Sequence, residues 1–251
     1  MNKGYQVWPI GTLPKEWQRP ELVTLKERGY QFDDAREVVT IFENKLAEYA
    51  GSKYAVAVDS CTDAVFLCLK YLQYIGEIDS FDPGEDSGTV IKIPSNCYLS
   101  VPMAIIHAGH NIRFVDKEWS GIFRLNPTRI IEGAVRFTKD MFVGGKCLQC
   151  CSFQLKKRLP IGKGGMIFTD DEDAVRWLRM ALFEGRHLEN DQWHDEFEIL
   201  GWNMYMTPED AARGLLLFDE LTKSGLHFDD TGTHESYPDL STQPIFQERI
   251  G

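Results

Sequence analysis

The residues of this chain best suited to chemistry lie in one run, Ser152-Phe153-Gln154-Leu155-Lys156-Lys157-Arg158-Leu159-Pro160-Ile161-Gly162-Lys163-Gly164-Gly165. Two adjacent lysines stand between a serine and a glycine cluster. Glycine lets backbone approach a ligand or a neighbouring strand closely, and a lysine amine held in a partly desolvated pocket becomes a nucleophile able to condense with a carbonyl. The plainer alternative is a solvated basic turn between two strands, which composition alone favours. Two other readings of glycine beside lysine fail. A dinucleotide fingerprint would need its third glycine at Ile167, and a P-loop would need a glycine five residues before Gly162.

A second candidate is Ser60-Cys61-Thr62, a turn between an apolar run and a helix. The first N–H groups of a helix, with its dipole, favour an anion such as a phosphate. Simple capping by Ser60 or Thr62 is the competing account. Cys147 and Cys150 have zinc-like spacing but no second pair nearby, so they read as buried strand cysteines and no metal is expected. The six histidines are scattered and form no recognisable nucleophilic triad.

The elements around these candidates read as α/β. Asp33-Asp34 can cap a helix whose apolar residues Ala35, Val38, Val39, Phe42, Leu46 and Tyr49 recur at three- and four-residue steps, and Gly51 ends it. Tyr54 to Val58 is a β-branched run, followed by a mostly apolar helix through Leu72. Val90 to Ile93 reads as a strand, Met103 to His107 as a helix and Ile112 to Val115 as a strand, so βαβ units and a mostly parallel central sheet flanked by helices are expected. Leu148 to Phe153 and Met166 to Thr169 are strand-like and flank the glycine cluster. Asp171 to Phe183 and Pro208 to Leu221 read as helices, with acidic residues or proline at their starts. The tail from Lys223 mixes Gly, Ser, Thr, Asp and Pro without a period, which predicts a loosely packed extension or arm over 223–251 behind a large domain over 1–222.

Composition narrows the function classes. Of the 251 residues, 43% are hydrophobic and 26% charged, a balance that supports a sizeable core. The formal net charge of −11 argues against nucleic acid as a partner. The longest charge-free stretch, Ile93 to Ile112, carries two prolines and two histidines, so no membrane span is expected. Met1 to Pro9 lacks the charged-then-apolar pattern of a secretory signal, and six unevenly placed cysteines do not frame a disulfide scaffold. A cytoplasmic protein with reduced thiols is the expectation.

Five blocks, in order, carry a resemblance: Phe42 to Gly51, Ala55 to Thr62, Pro94-Ser95-Asn96-Cys97-Tyr98, Ser152 to Gly165, and Gly201 to Thr207. Together they resemble the DegT/DnrJ/EryC1/StrS family of pyridoxal-phosphate-dependent sugar aminotransferases, over roughly residues 36 to 221. The resemblance implies the large domain of a fold-type-I PLP-dependent transferase, with a reduced or missing C-terminal small domain. It implies pyridoxal 5'-phosphate as cofactor, a nucleotide-linked keto-sugar as acceptor, an amino-acid donor such as glutamate, and a homodimer with a shared active site.

Carried over residue by residue, the family pattern makes Lys157 the Schiff-base lysine, with Lys156 as the alternative. Ser152 would bond the cofactor phosphate beside Ser60, Cys61 and Thr62, and Tyr98 would stack on the pyridine ring. Asn203 would reach the phosphate from the neighbouring subunit. The acidic partner of the pyridine nitrogen is normally aspartate; the nearest match here is Glu132, and a one-residue shift would leave Gly133 in its place. Cys61 stands where the family's turn has glycine, and Tyr205 where it has arginine. A strand and helix of the family have no counterpart between Asp116 and Arg129.

Overall fold

The computed structural model describes residues 19–79, 88–190, 193–226 and 232–247. Met1–Pro9 and the end of the tail lie outside them. Helices α1 (Pro20–Glu27) and α2 (Glu37–Ala50) precede strand β1 (Tyr54–Val58) and helix α3 (Cys61–Tyr74). Strand β2 (Val90–Pro94), helix α4 (Ser100–His107) and strand β3 (Asn111–Val115) follow as a βαβ unit. Then come β4 (Phe123–Arg124), β5 (Ile130–Glu132), β6 (Leu148–Ser152) and β7 (Gly165–Thr169), with helices α5 (Glu172–Ala181), α6 (Pro208–Ser224) and α7 (Pro244–Gln247).

Local chemistry explains the boundaries nearest the site. Along α2, Val38, Phe42, Leu46 and Ala50 fall on one buried face, and Gly51 closes it in the left-handed conformation, φ 81°. That helix begins later than the acidic pair suggests, because the Asp34 carboxylate accepts the Arg36 N–H at 2.8 Å in a turn of its own. Ser60 caps α3 by accepting the Asp63 N–H. Thr207 and Pro208 open α6 in the same manner.

One sheet runs β1-β7-β6-β5-β4, and β2 and β3 form a separate parallel pair. Helices cover both faces of the larger sheet, as an α/β protein requires: Ala55, Ala57, Met166 and Phe168 pack with Phe42, Leu46 and Leu215, while Val56, Val58 and Ile167 pack with the residues of α3 and α5. The sheet is mixed rather than mostly parallel. β7 runs antiparallel to both β1 and β6, β4 runs antiparallel to β5, and only β5 and β6 are parallel within it. The reason is the connection over 153–164. A parallel neighbour needs a crossover, usually a helix, but here Gln154 and Gly162 lie opposite one another and the chain doubles straight back.

Between Asp116 and Arg129, where a further strand and helix of the family were expected to be absent, a short piece of chain spans from β5 to β2. The Leu125 N–H donates to the Ile130 carbonyl at 3.0 Å, and Asn126 and Lys92 exchange both backbone hydrogen bonds, at 2.6 and 3.0 Å. The two sheets are stitched together there.

The expectation of a loosely packed tail is corrected. In the described part, 232–247, Leu240 is 3% exposed and Phe246 fully buried, both within the main core. The Leu240 N–H donates to the Ser95 carbonyl at 2.9 Å and the Gly121 N–H to the Gly232 carbonyl at 2.7 Å. These anchors recur at no helical or strand period, which is why sequence patterning gave no sign of them. Among the described residues no helix is long and apolar enough to cross a membrane, and no group of three or more His, Cys, Asp and Glu is placed to hold a metal ion.

Candidate active site

Three strands and a helix start converge on one corner. Across the sheet, Val58 of β1, Gly165 of β7 and Ser152 of β6 lie in register. A Cβ on Gly165 would stand 2.6 Å from the Cys61 nitrogen and 2.7 Å from the Ser60 oxygen, so only glycine lets the start of α3 rest on the strand. The N–H groups of Cys61 and Thr62 belong to the first turn, where the helix supplies them no acceptor. The glycine cluster thus builds the seat of a helix start and fixes Ser152 beside it.

A cavity of about 740 Å³ opens over this corner. It is lined by Ser60, Cys61 and Thr62 from α3 and its cap, Tyr98 from the turn before α4, Glu132 from the end of β5, and Ser152, Lys156 and Lys157 from β6 and its loop. Seven of the eight residues singled out as site candidates therefore meet in one place. Asn203 does not: its side chain is exposed and donates to Glu184 at 2.8 Å. Ser60 is present but committed, since its hydroxyl accepts from the Asp63 N–H at 3.1 Å and donates to the Asp63 carboxylate at 2.5 Å.

The two lysines differ in environment. Lys156 is exposed, whereas Lys157 is half-buried, with its amine 6.0 Å from the centroid of the Tyr98 ring. Glu132 is 4% exposed and accepts the Ala134 N–H at 3.1 Å. Burial pushes its carboxyl up to about 7, against the pull of that N–H and of the Lys157 charge. Gly133 faces away: a Cβ there would meet the Cys150 carbonyl at 3.2 Å and Ile122 at 3.4 Å, so Glu132, and not Gly133, presents to the cavity.

Sequence reasoning missed several contributors. Lys163, between two glycines, pairs with Asp59 at 2.8 Å and also lines the cavity. Asp63 is pushed up to about 6 by burial and by its hydrogen bond with Asp59. The spacing of Asp63 from Ser60 is that of a capping box, the one signal that could have found it. Gly232, Ser236 and Tyr237 of the tail line the far side, and nothing in the sequence pointed to them. Burial, with the Glu132 charge, pushes the Tyr237 phenol up to about 12. Lys156, Lys157, Arg158 and Lys163 collect at this cavity in a chain whose net charge is −11, so positive groups are concentrated where an anion could use them.

As a donor set, these residues suit a flat heteroaromatic molecule carrying an aldehyde and an anionic arm. The hydroxyls of Thr62 and Ser152 and the first-turn N–H groups of α3 offer hydrogen bonds to the arm. An amine, an aromatic face and a buried carboxyl are available to the remainder. Pyridoxal phosphate has that shape and that chemistry.

Comparison with known proteins identifies the family of the chain. The DegT/DnrJ/EryC1/StrS aminotransferase family model matches residues 21–143 and 134–225. The chain is 27% identical over 223 residues to the spore coat polysaccharide biosynthesis protein SpsC of Bacillus subtilis, a match covering 69% of this chain and 54% of SpsC. It is 24% identical over 215 residues to the GDP-perosamine synthase of Caulobacter vibrioides, with the same two coverages. Among solved structures, the sugar aminotransferase CalS13 from Micromonospora echinospora superposes with a TM-score of 0.62 at 14% identity, over 81% of this chain and 65% of that one. This chain spans about half the length of the curated relatives it matches.

Proposed function

The chain belongs to the DegT/DnrJ/EryC1/StrS aminotransferase family, and from that premise we propose that it is a pyridoxal-phosphate-dependent aminotransferase. It transfers an amino group, with glutamate as donor, to a nucleotide-linked keto-sugar. The observation that carries this reading is the half-buried Lys157 amine over the Tyr98 ring, in the same cavity as the buried Glu132 and the start of α3.

Lys157 is the amine that would hold the cofactor covalently and, once released, move a proton at the substrate carbon through its Nζ as base and then acid. Bound pyridoxal phosphate supplies an electron-poor ring into which charge from that carbon is drawn. Tyr98 fixes the plane of the ring by offset contact. Glu132, its carboxyl raised by burial, would be the acidic partner of the pyridine nitrogen and would hold or give up the proton shared with it. Thr62, Ser152 and the α3 N–H groups bind the phosphate. Asn203, exposed and outside its own chain's cavity, is the residue that would reach the phosphate held by a second copy in a homodimer with shared sites.

One observation favours a second reading, a cofactor-binding homologue without turnover: burial pushes the Glu132 carboxyl up, which disfavours the carboxylate that a protonated pyridine nitrogen would pair with. One experiment separates the two. Pyridoxal phosphate is added, with and without glutamate, and borohydride reduction is followed by peptide mass mapping. A modified Lys157 whose yield drops after glutamate is the result expected of the aminotransferase. Modification that glutamate leaves unchanged supports the second reading, and none at Lys157 sinks both.

A further inference from the structure

We propose that the C-terminal segment 232–247 is a built-in wall of this cavity, and that its Tyr237 is a positioning residue that holds Tyr98 in the attitude needed to face a flat cofactor ring; this rests on the cofactor reading above.

Four observations carry it. The segment is anchored away from the cavity, by Leu240 and Phe246 in the core, so its cavity-facing end is held without needing a ligand. Tyr237 sits in a closed network: its ring stacks on Trp119 at 5.7 Å and 29°, the Trp119 Nε1–H donates to the Asn96 carbonyl at 2.8 Å, and the Asn96 side chain donates to the Tyr237 carbonyl at 2.9 Å. Tyr98 itself is 56% exposed, and among the described residues Tyr237 is the one aromatic ring against it, edge-on at 6.3 Å and 71°. Finally, Gly232 lies so close to Val135 that a Cβ there would overlap its isopropyl group, and Val135 lines the cavity two residues beyond Gly133. The tail is thereby pressed against the same strand end that presents Glu132.

An exposed ring has several orientations open to it, and an edge contact of this kind removes some of them before a ligand arrives. Losing the contact should weaken retention of the cofactor without touching any group that bonds to it.

The test uses the whole chain and pyridoxal phosphate as the probe. Cofactor affinity is read from absorbance, cofactor orientation from its visible circular dichroism, and fold from the thermal midpoint. Tyr237→Leu is expected to weaken affinity roughly five-fold and reduce the dichroic band. Tyr237→Phe, which keeps the ring, should behave like the native chain. Gly232→Ala, which pushes the tail off Val135, should shift both readouts in the direction of Tyr237→Leu. Native affinity and dichroism in a folded Tyr237→Leu protein overturn the inference and leave the cofactor reading standing. If Tyr237→Leu does not fold, Gly232→Ala decides by the same criterion. A native chain that retains no pyridoxal phosphate overturns both.

Discussion

The two walls of the cavity are held in opposite ways. The corner made by Ser60–Thr62 and Ser152–Gly165 is tied by a continuous ladder from Val58 through Gly165 to Ser152, with a helix start laid directly on the strand. The facing wall, with Gly232, Ser236 and Tyr237, has no ladder and hangs on two buried side chains, the Tyr237–Trp119–Asn96 network and a few backbone hydrogen bonds. The difference separates two jobs. Ser152, Glu132 and the first-turn N–H groups of α3 sit on regular elements, while the shape of the space facing them is left to a segment that packs by side-chain burial.

That contrast can be broken most forcefully at Phe246, fully buried and edge-on to Phe114 at 5.6 Å. Phe246→Ala is expected to cost about 3–5 kcal/mol in urea unfolding, with amides of 232–247 exchanging faster than those of β6 and β7. A loss under about 1 kcal/mol, or equal acceleration in both regions, would show that the walls are not separately held.

The next effect belongs to the corner side. Glu132 binds its proton more tightly folded than unfolded, about 7 against an ordinary 4.5, so folding takes up a proton between those values. The stability of the ligand-free chain must therefore fall as pH rises through that window. Glu132→Gln is expected to be more stable than the native chain at pH 8 by about 3 kcal/mol, from 1.36 kcal/mol per unit, with no advantage at pH 4. Asp63, pushed up to about 6, acts in the same direction and should leave a weaker slope in the variant. Unfolding midpoints at pH 4, 6 and 8 check it, and an unchanged slope removes Glu132 as the source.

The smallest effect sharpens the comparison. The Lys163–Asp59 pair spans the corner, but the lysine side chain is 69% exposed, so Lys163→Gln should change stability by under about 1 kcal/mol. It leaves Asp59 without its lysine beside the first-turn N–H groups of α3 that are proposed to bind the phosphate, and pyridoxal phosphate affinity, followed by absorbance titration, should drop a few-fold. Unchanged affinity would confine Lys163 to the outside of the site.

The same division decided what could be read from the sequence. Gly51, Ser60 and the Gly162–Gly165 cluster each act on the few residues beside them, so α2, the start of α3 and the β6–β7 loop were legible, as was the grouping of Lys157, Ser152 and Tyr98. The direction of β7, the place of Phe123–Asn126 and the docking of the tail depend on partners far along the chain. Leu240 and Phe246 look like any two apolar residues in a polar stretch until the core they enter is known. Glu132 was legible as a residue but not as the side chain that faces inward, because that depends on the pleat of a three-residue strand.

The stitch between β5 and β2 has a consequence for how the lining of the cavity is held. Tyr98 follows β2 and Glu132 ends β5, and the spacing of those two strands is set by the short piece of chain that joins them. That piece is held by main-chain hydrogen bonds at Leu125 and Asn126, not by any side chain in the cavity. The spacing of the two strands is written into the backbone, while the attitude of the Tyr98 ring is left to its side-chain neighbour Tyr237.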